Sequence, residues 1–330
     1  MNCKALICNS NMYVPYVMVE VLNNPRDNYV VLSDIENIIL FFNSICIPNV
    51  VCIAYGVNGF ADIWNSKKTL MAKLSKWDIA RITFYNTTYG GLANWLICTL
   101  HKQGVAVQHC SLYPRLPFPK AKWYQCIKLK LINYLMYGVR MEFLFNGDSF
   151  IPELSQRFFK RNEVEIIRKP DNIDIATLYF SSYIRNNNLK KSVLFLTGSV
   201  VESNVVDEDN YVDVTDRLIK TIGFERIMAK QHPRFNKKYG IEKNLPEVPS
   251  YIPGNLILSS YDIVIGHSSL MLVEAAQQGK IVISTLFLYN MGNKELTQNC
   301  KKYLECRLEE KGVIYYPSTI QELVRLLHNS

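Results

Sequence analysis

Hydrophobic positions fall into short runs rich in β-branched residues, separated by stretches where apolar residues recur every three to four positions. In the first half the runs Lys4–Cys8, Tyr29–Leu32, Val50–Ala54, Arg81–Tyr85 and Val105–Gln108 predict strands, and 12–22, 35–44, 65–75 and 90–102 predict helices. Residues 120–137 are basic, aromatic and helical in pattern, and Arg140–Phe145, a Gly147-Asp148 turn and a weak strand at Glu163–Ile167 follow. The alternation restarts after a crossing segment between about 150 and 190. Val193–Thr197, Arg226–Ala229, Leu256–Leu258, Asp262–Ile265, Ile281–Thr285 and Val313–Tyr316 predict strands, with helices over 211–222, 268–278, 294–306 and 319–328. Apolar strands alternating with helices predict parallel sheets covered on both faces.

A chain of 330 residues suits two such domains. The expectation is an α/β protein of two Rossmann-like doubly wound domains, 1–170 and 171–330. Charged residues at 20% are too few for a disordered chain. The net charge of +8 admits nucleic acid, an anionic membrane face or phosphorylated substrates as partners. Lys120, Lys122, Lys128 and Lys130 form one basic group, and Arg157, Lys160, Arg161, Arg168 and Lys169 another; both also fit ordinary solvated helix faces. No nucleic-acid reader motif accompanies them, so nucleic acid is the poorer partner. The nine cysteines form no CxxC pair, disulfide framework or zinc spacing, which predicts reduced thiols and a cytoplasmic setting. No run of 18 apolar residues exists.

The sharpest local signal is Ile263-Val264-Ile265-Gly266-His267-Ser268-Ser269-Leu270, which reads strand, tight turn, helix. Gly266 permits the turn, His267 or Ser268 can cap the helix, and the helix start offers free N–H groups beside two hydroxyls. That combination suits an anion, although capping alone also accounts for the serines. Lys230-Gln231-His232-Pro233-Arg234 leaves another strand at its carboxyl end, where ligands of open α/β sheets bind. Alternation puts Lys230 and His232 on one side, and Pro233 stops the ladder. Gly198 and Ser199 end the first strand of this half, and Pro253-Gly254 precede another strand; both pairs also read as turns.

Lys-x-His-Pro-Arg followed by Ser-Ser opening a helix resembles the bacterial sialyltransferases that build lipooligosaccharide, polysialic acid or O-antigen. The resemblance implies a GT-B architecture, two Rossmann-like domains facing a cleft. It implies an inverting, metal-independent enzyme with CMP-sialic acid as donor and a galactose-type hydroxyl of a bacterial surface glycan precursor as acceptor. His232, Ser268 and Ser269 would contact the CMP phosphate. Lys230, Pro233, Gly198, Ser199, Pro253, Gly254 and Gly266 would line the donor pocket. A lipid carrier on the acceptor would explain a basic face and peripheral contact with the cytoplasmic side of an anionic inner membrane.

The family's Asp/Glu-Asp/Glu-Gly triplet, whose carboxylate is taken as the general base, is missing here. Its place reads Val107-Gln108-His109-Cys110, so His109 is the first candidate for the base and Asp148 the second. Asn9 and Ser10 follow the first strand, and Asn86 and Tyr89 follow a later one, so both pairs face the side where an acceptor would bind. A CMP-Kdo or CDP-linked donor, or a non-catalytic nucleotide- or glycan-binding subunit, fits the same residues.

Overall fold

The computed structural model describes residues 3–56, 62–85, 91–111, 123–138, 165–168, 170, 172–186, 191–198, 200–202, 204–232, 237–290, 292, 294–308 and 312–328. The chain divides into two compact units, Met1–Ile175 and Ala176–Ser330.

The first unit carries strands β1 (Cys3–Cys8), β2 (Asn28–Ser33), β3 (Val50–Ala54), β4 (Ile79–Tyr85), β5 (Ala106–Ser111) and β6 (Glu165–Arg168). They form one sheet in the order β3-β2-β1-β4-β5-β6, every pair parallel. Between them run helices α1 (Val14–Asn23), α2 (Glu36–Ile45), α3 (Ile63–Leu74), α4 (Gly91–Lys102) and α5 (Trp123–Ile132), the last continued by a π-helical turn over Asn133–Tyr137. β1 and β2 are buried almost throughout because they are apolar on both faces and helices cover each. One core cluster joins Ile7, Leu32, Phe84 and Val107 of the sheet to Leu92, Leu96 and Leu100 of α4. At the amino edge Lys4 pairs with Glu20 at 3.4 Å and Asp27 at 2.6 Å, and Arg81 with Glu20 at 2.8 Å.

The second unit repeats the plan. Its strands are β7 (Val193–Leu196), β8 (Ile227–Lys230), β9 (Glu247–Val248), β10 (Ile263–Gly266), β11 (Ile281–Ser284) and β12 (Ile314–Tyr315), ordered β12-β11-β10-β7-β8-β9 and again all parallel. Helix α6 (Asp174–Asn186) spans the boundary between the units; α7 (Glu208–Ile222), α8 (Leu270–Gln277), α9 (Lys294–Glu305) and α10 (Ile320–His328) follow. α7 starts where Asp207 accepts from the N–H groups of Asp209 and Asn210 and stops at Gly223, whose φ of 93° favours glycine. Leu218, Ile219 and Ile222 of α7 pack on Phe195, Ala229 and Ile265 of the sheet. Each sheet reverses its strand order once, between β1 and β4 and between β7 and β10.

Four elements differ from expectation. Residues 256–258 are not a strand: short 3-10 turns run over Gly254–Leu256 and Leu258–Ser260, and Leu256, Ile257 and Ser260 donate to carbonyls three residues back. Their backbone is satisfied locally, so the buried Leu256 and Leu258 mimic a strand without joining a ladder. β5 continues to Ser111, beyond the expected end at Gln108. α6 and β9 were not foreseen. Among the described residues no helix is long and apolar enough to cross a membrane.

Candidate functional site

In a doubly wound sheet the loops after the two strands at the order reversal diverge to opposite faces and leave a crevice at their carboxyl ends. In the second unit those strands are β7 and β10. β7 runs into Thr197-Gly198 and β10 into His267-Ser268-Ser269, so two of the sequence motifs meet at the reversal. The approach is close. A β-carbon on Gly266 would lie 2.9 Å from the Cβ of Leu196, and one on Gly198 would lie 3.7 Å from the Cβ of His267.

Ser269, rather than His267 or Ser268, caps α8: its backbone is extended and its Oγ accepts from the Met271 N–H at 3.3 Å. Ser268 Oγ lies 3.1 Å from Nδ1 of His267. His267 is 5% exposed, and burial pushes its pKa down to about 4, so the ring is neutral at physiological pH. The adjoining strand fixes the turn. Ser284 Oγ donates to the His267 carbonyl at 2.6 Å, and the Thr285 N–H donates to the Gly266 carbonyl at 2.8 Å.

β8 adds a third side. The Thr197 N–H donates to the Lys230 carbonyl at 3.1 Å, extending the ladder to the end of β7. Lys230 is 5% exposed and its Nζ donates to the carbonyls of Pro249 and Ser250 at 3.3 and 3.1 Å. Burial lowers its pKa to about 8, opposed by the nearby Glu247 carboxylate. Lys230 therefore ties down the loop leading to Pro253 and Gly254. Gly254 in turn lies against the Met271 thioether in the first turn of α8, leaving no room for a β-carbon unless that side chain moves. Gln231 is buried, and His232, two residues past the strand, is partly exposed. Pro233 and Ser199 lie outside the described residues.

Behind His267 sits a buried polar cluster that the sequence did not announce. The Tyr289 ring lies 5.8 Å from His267 and stacks on Tyr211 at 5.3 Å. The Tyr289 hydroxyl is 2.9 Å from Thr215 Oγ1. Tyr211 donates to Glu242 at 3.0 Å, and burial pushes the Glu242 pKa up to about 7. His267 is the one member that stands out in the sequence, as a candidate cap of the helix after β10. Tyr211, Glu242 and Tyr289 are brought to it from three separate segments.

In the first unit Asn9 is buried, and its side chain is committed to the sheet: Nδ2 donates to the Tyr55 hydroxyl at 2.5 Å and Oδ1 accepts from the Asp34 N–H at 3.2 Å. It fastens the carboxyl ends of three neighbouring strands. Ser10 is partly buried and caps a 3-10 turn over Asn11–Tyr13 through its backbone. His109 lies inside β5, not beyond it, because that strand runs on to Ser111. It is 3% exposed and stacked on Phe84 at 4.4 Å. Asn86, Tyr89 and Asp148 lie outside the described residues. Among the described residues no group of three His, Cys, Asp or Glu side chains is placed to hold a metal ion.

No family model and no curated protein matches this chain. Solved structures share its fold. The wall teichoic acid polymerase TagF is 12% identical with a TM-score of 0.51, over 99% of this chain and 79% of that one. The UDP-GlcNAc 2-epimerase of Neisseria meningitidis, bound to UDP-GlcNAc, is 12% identical with a TM-score of 0.50, over 100% and 99%. TagF soaked with CDPG gives 12% and 0.51 over the same shares as TagF itself. Identity this low speaks for the fold alone: two Rossmann-like α/β domains in tandem.

Proposed function

We propose that the chain is a glycosyltransferase that holds an activated sugar by its nucleotide phosphate at the β7–β10 reversal. The observation that carries this reading is the meeting of Gly198, the His267-Ser268-Ser269 turn and the start of α8 at one crevice, closed on a third side by the loop that Lys230 anchors. Helix N–H groups and two hydroxyls make the crevice suited to an anion, while Lys230 holds the bordering loop by its carbonyls. The shared fold supports a nucleotide-linked ligand, since similar structures hold UDP-GlcNAc or were soaked with CDPG.

In the reaction we propose, an acceptor hydroxyl attacks the anomeric carbon, the bond to phosphate breaks, and negative charge grows on the departing nucleotide. His232, Ser268, Ser269 and the helix start offset that charge, the largest electrostatic contribution such a site makes. The donor we assign from the His-Pro and Ser-Ser motifs is a CMP-activated sialic-acid-type sugar, with no metal required. A CDP-linked donor is the second reading, favoured by the likeness to TagF. For the acceptor proton, the burial of His109 and its stacking on Phe84 speak for the second candidate, and we assign the base to Asp148.

The purified protein is to be incubated with CMP-sialic acid and with a CDP-linked donor, with and without EDTA, and nucleotide release followed. The expected result is CMP release that survives EDTA and falls by about 100-fold in His232→Ala. His109→Phe should leave turnover within about threefold, whereas Asp148→Asn should lose about 100-fold or more, as expected for a general base. Release from the CDP-linked donor alone would replace the sialyl reading with the second one. Absence of nucleotide binding would remove both.

We further propose that the acceptor is lipid-linked and met at an anionic membrane face. The support is α5 and its π-turn. Ile127, Leu131, Tyr134 and Leu135 are 54%, 54%, 53% and 69% exposed, at helical spacing beside exposed Lys128. The other side of this element is fixed: Lys67 donates to the carbonyls of Met136 and Tyr137, and the Tyr137 ring lies on Gly91. Residues 111–141 contain no Asp or Glu. An apolar stripe within an acid-free stretch of sequence matches a lipid surface carrying negative charge.

A further inference from the structure

We infer that His267 is a positioning residue that turns Ser268 into a pure hydrogen-bond donor toward a phosphate oxygen. The inference rests on the nucleotide reading above and goes one step into its geometry.

A serine hydroxyl has one proton and two lone pairs, so what it offers a ligand depends on which of these its neighbours use. The Ser268 hydroxyl lies 3.1 Å from Nδ1 of His267. The other ring nitrogen, Nε2, is buried without a hydrogen-bond partner, on a residue that is 5% exposed. The ring is neutral, so one nitrogen carries the proton and the other a lone pair. If Nε2 held the proton, a buried N–H would be orphaned and Ser268 would have to spend its own proton on Nδ1. If Nδ1 holds it, the orphan is only a lone pair. Orphaned buried N–H groups are rare and costly, whereas under-used acceptors are less so. The Nδ1–H form is therefore favoured. It donates to a Ser268 lone pair and leaves the Ser268 proton for a ligand.

The ring cannot readily turn to reverse this. The His267 carbonyl is held by Ser284, its Cβ borders Gly198, and its face rests near Tyr289. Ser269 is set the same way, since its Oγ accepts from the Met271 N–H. Both hydroxyls then have a lone pair engaged from within and a proton available, beside the N–H groups that open α8. A surface that only donates fits a phosphate, whose ionised oxygens only accept. It discriminates against a sugar hydroxyl, which needs acceptors as well.

The test is calorimetric titration of CMP, and of cytidine as the ligand lacking phosphate, into the wild type, His267→Phe, His267→Asn and Ser268→Ala, with melting temperatures checking the fold. His267→Phe should weaken CMP by about tenfold, the scale of one hydrogen bond to a charged group, and leave cytidine unchanged. Ser268→Ala should show the same selective loss. His267→Asn, whose amide can stand in for the Nδ1–H donor, should return CMP affinity to within about threefold of wild type. Unchanged CMP affinity in His267→Phe would overturn the inference while leaving the nucleotide reading intact. So would equal losses for CMP and cytidine, or no rescue by asparagine, because both mark a merely structural residue. A wild type that binds no nucleotide overturns the underlying reading and this inference with it.

Discussion

Glu242 and His267 belong to one buried cluster, linked through Tyr211 and Tyr289, yet burial acts on them in opposite senses. The folded protein keeps the Glu242 proton up to about pH 7, whereas the unfolded chain releases it near the ordinary 4.5. Stability from this group is therefore full at low pH and lost as pH rises through that window, by roughly 3 kcal/mol. His267 stays neutral in the fold down to about pH 4, while the unfolded chain takes up a proton near 6.5, so stability rises with pH between those values by a similar amount. The two slopes oppose each other between about pH 4.5 and 6.5. Urea unfolding across this range should show His267→Asn losing stability with rising pH relative to wild type, and Glu242→Gln gaining it. Parallel curves for all three proteins would mean that neither group is buried as described. Gly266 makes a simpler case. A β-carbon there would press on Leu196, so Gly266→Ala should lose about 1–3 kcal/mol in the same assay.

At the scale of elements, α8 is short, and its start depends on the Ser269 cap. Ser269→Ala should lower stability by about 1 kcal/mol and also weaken CMP binding, because the same hydroxyl faces the crevice we assign to phosphate. α5 carries a different expectation. Sedimentation with vesicles containing phosphatidylglycerol should retain the wild type and release Ile127→Ser/Leu131→Ser/Leu135→Ser, with unaltered circular dichroism, since these side chains are exposed. Equal binding of both proteins would remove the membrane role of this face. The elements also show where periodicity reads correctly and where it fails. The strands around β1 and β10 were legible because they are apolar on both faces. Residues 256–258 misled because buried leucines two apart look the same in a strand and in successive turns. β9 has only two residues, too few for any period to register.

At the scale of the whole chain, each unit has its own sheet and its own apolar core. Separate cores predict that ligand binding to the second unit stabilises that unit first. Calorimetric scans with CMP at 100 times its dissociation constant should shift the melting of the second unit by the equivalent of about 2.7 kcal/mol and leave the first unmoved. A uniform shift of one transition would show the units to be thermodynamically coupled. The sequence by itself determined the two sheets, the turn after β10 and the helix that follows, because hydrophobic period, a glycine and capping hydroxyls act over a few neighbouring residues. The tertiary structure alone decided that β7 and β10 are neighbours, which places Gly198 beside His267. It also decided that Lys230 is spent on loop carbonyls, that Asn9 fastens strand ends, and that His109 lies inside the sheet against Phe84. Those outcomes depend on strand order and strand length, which are set by packing between segments far apart in the chain and leave no periodic trace within any one of them.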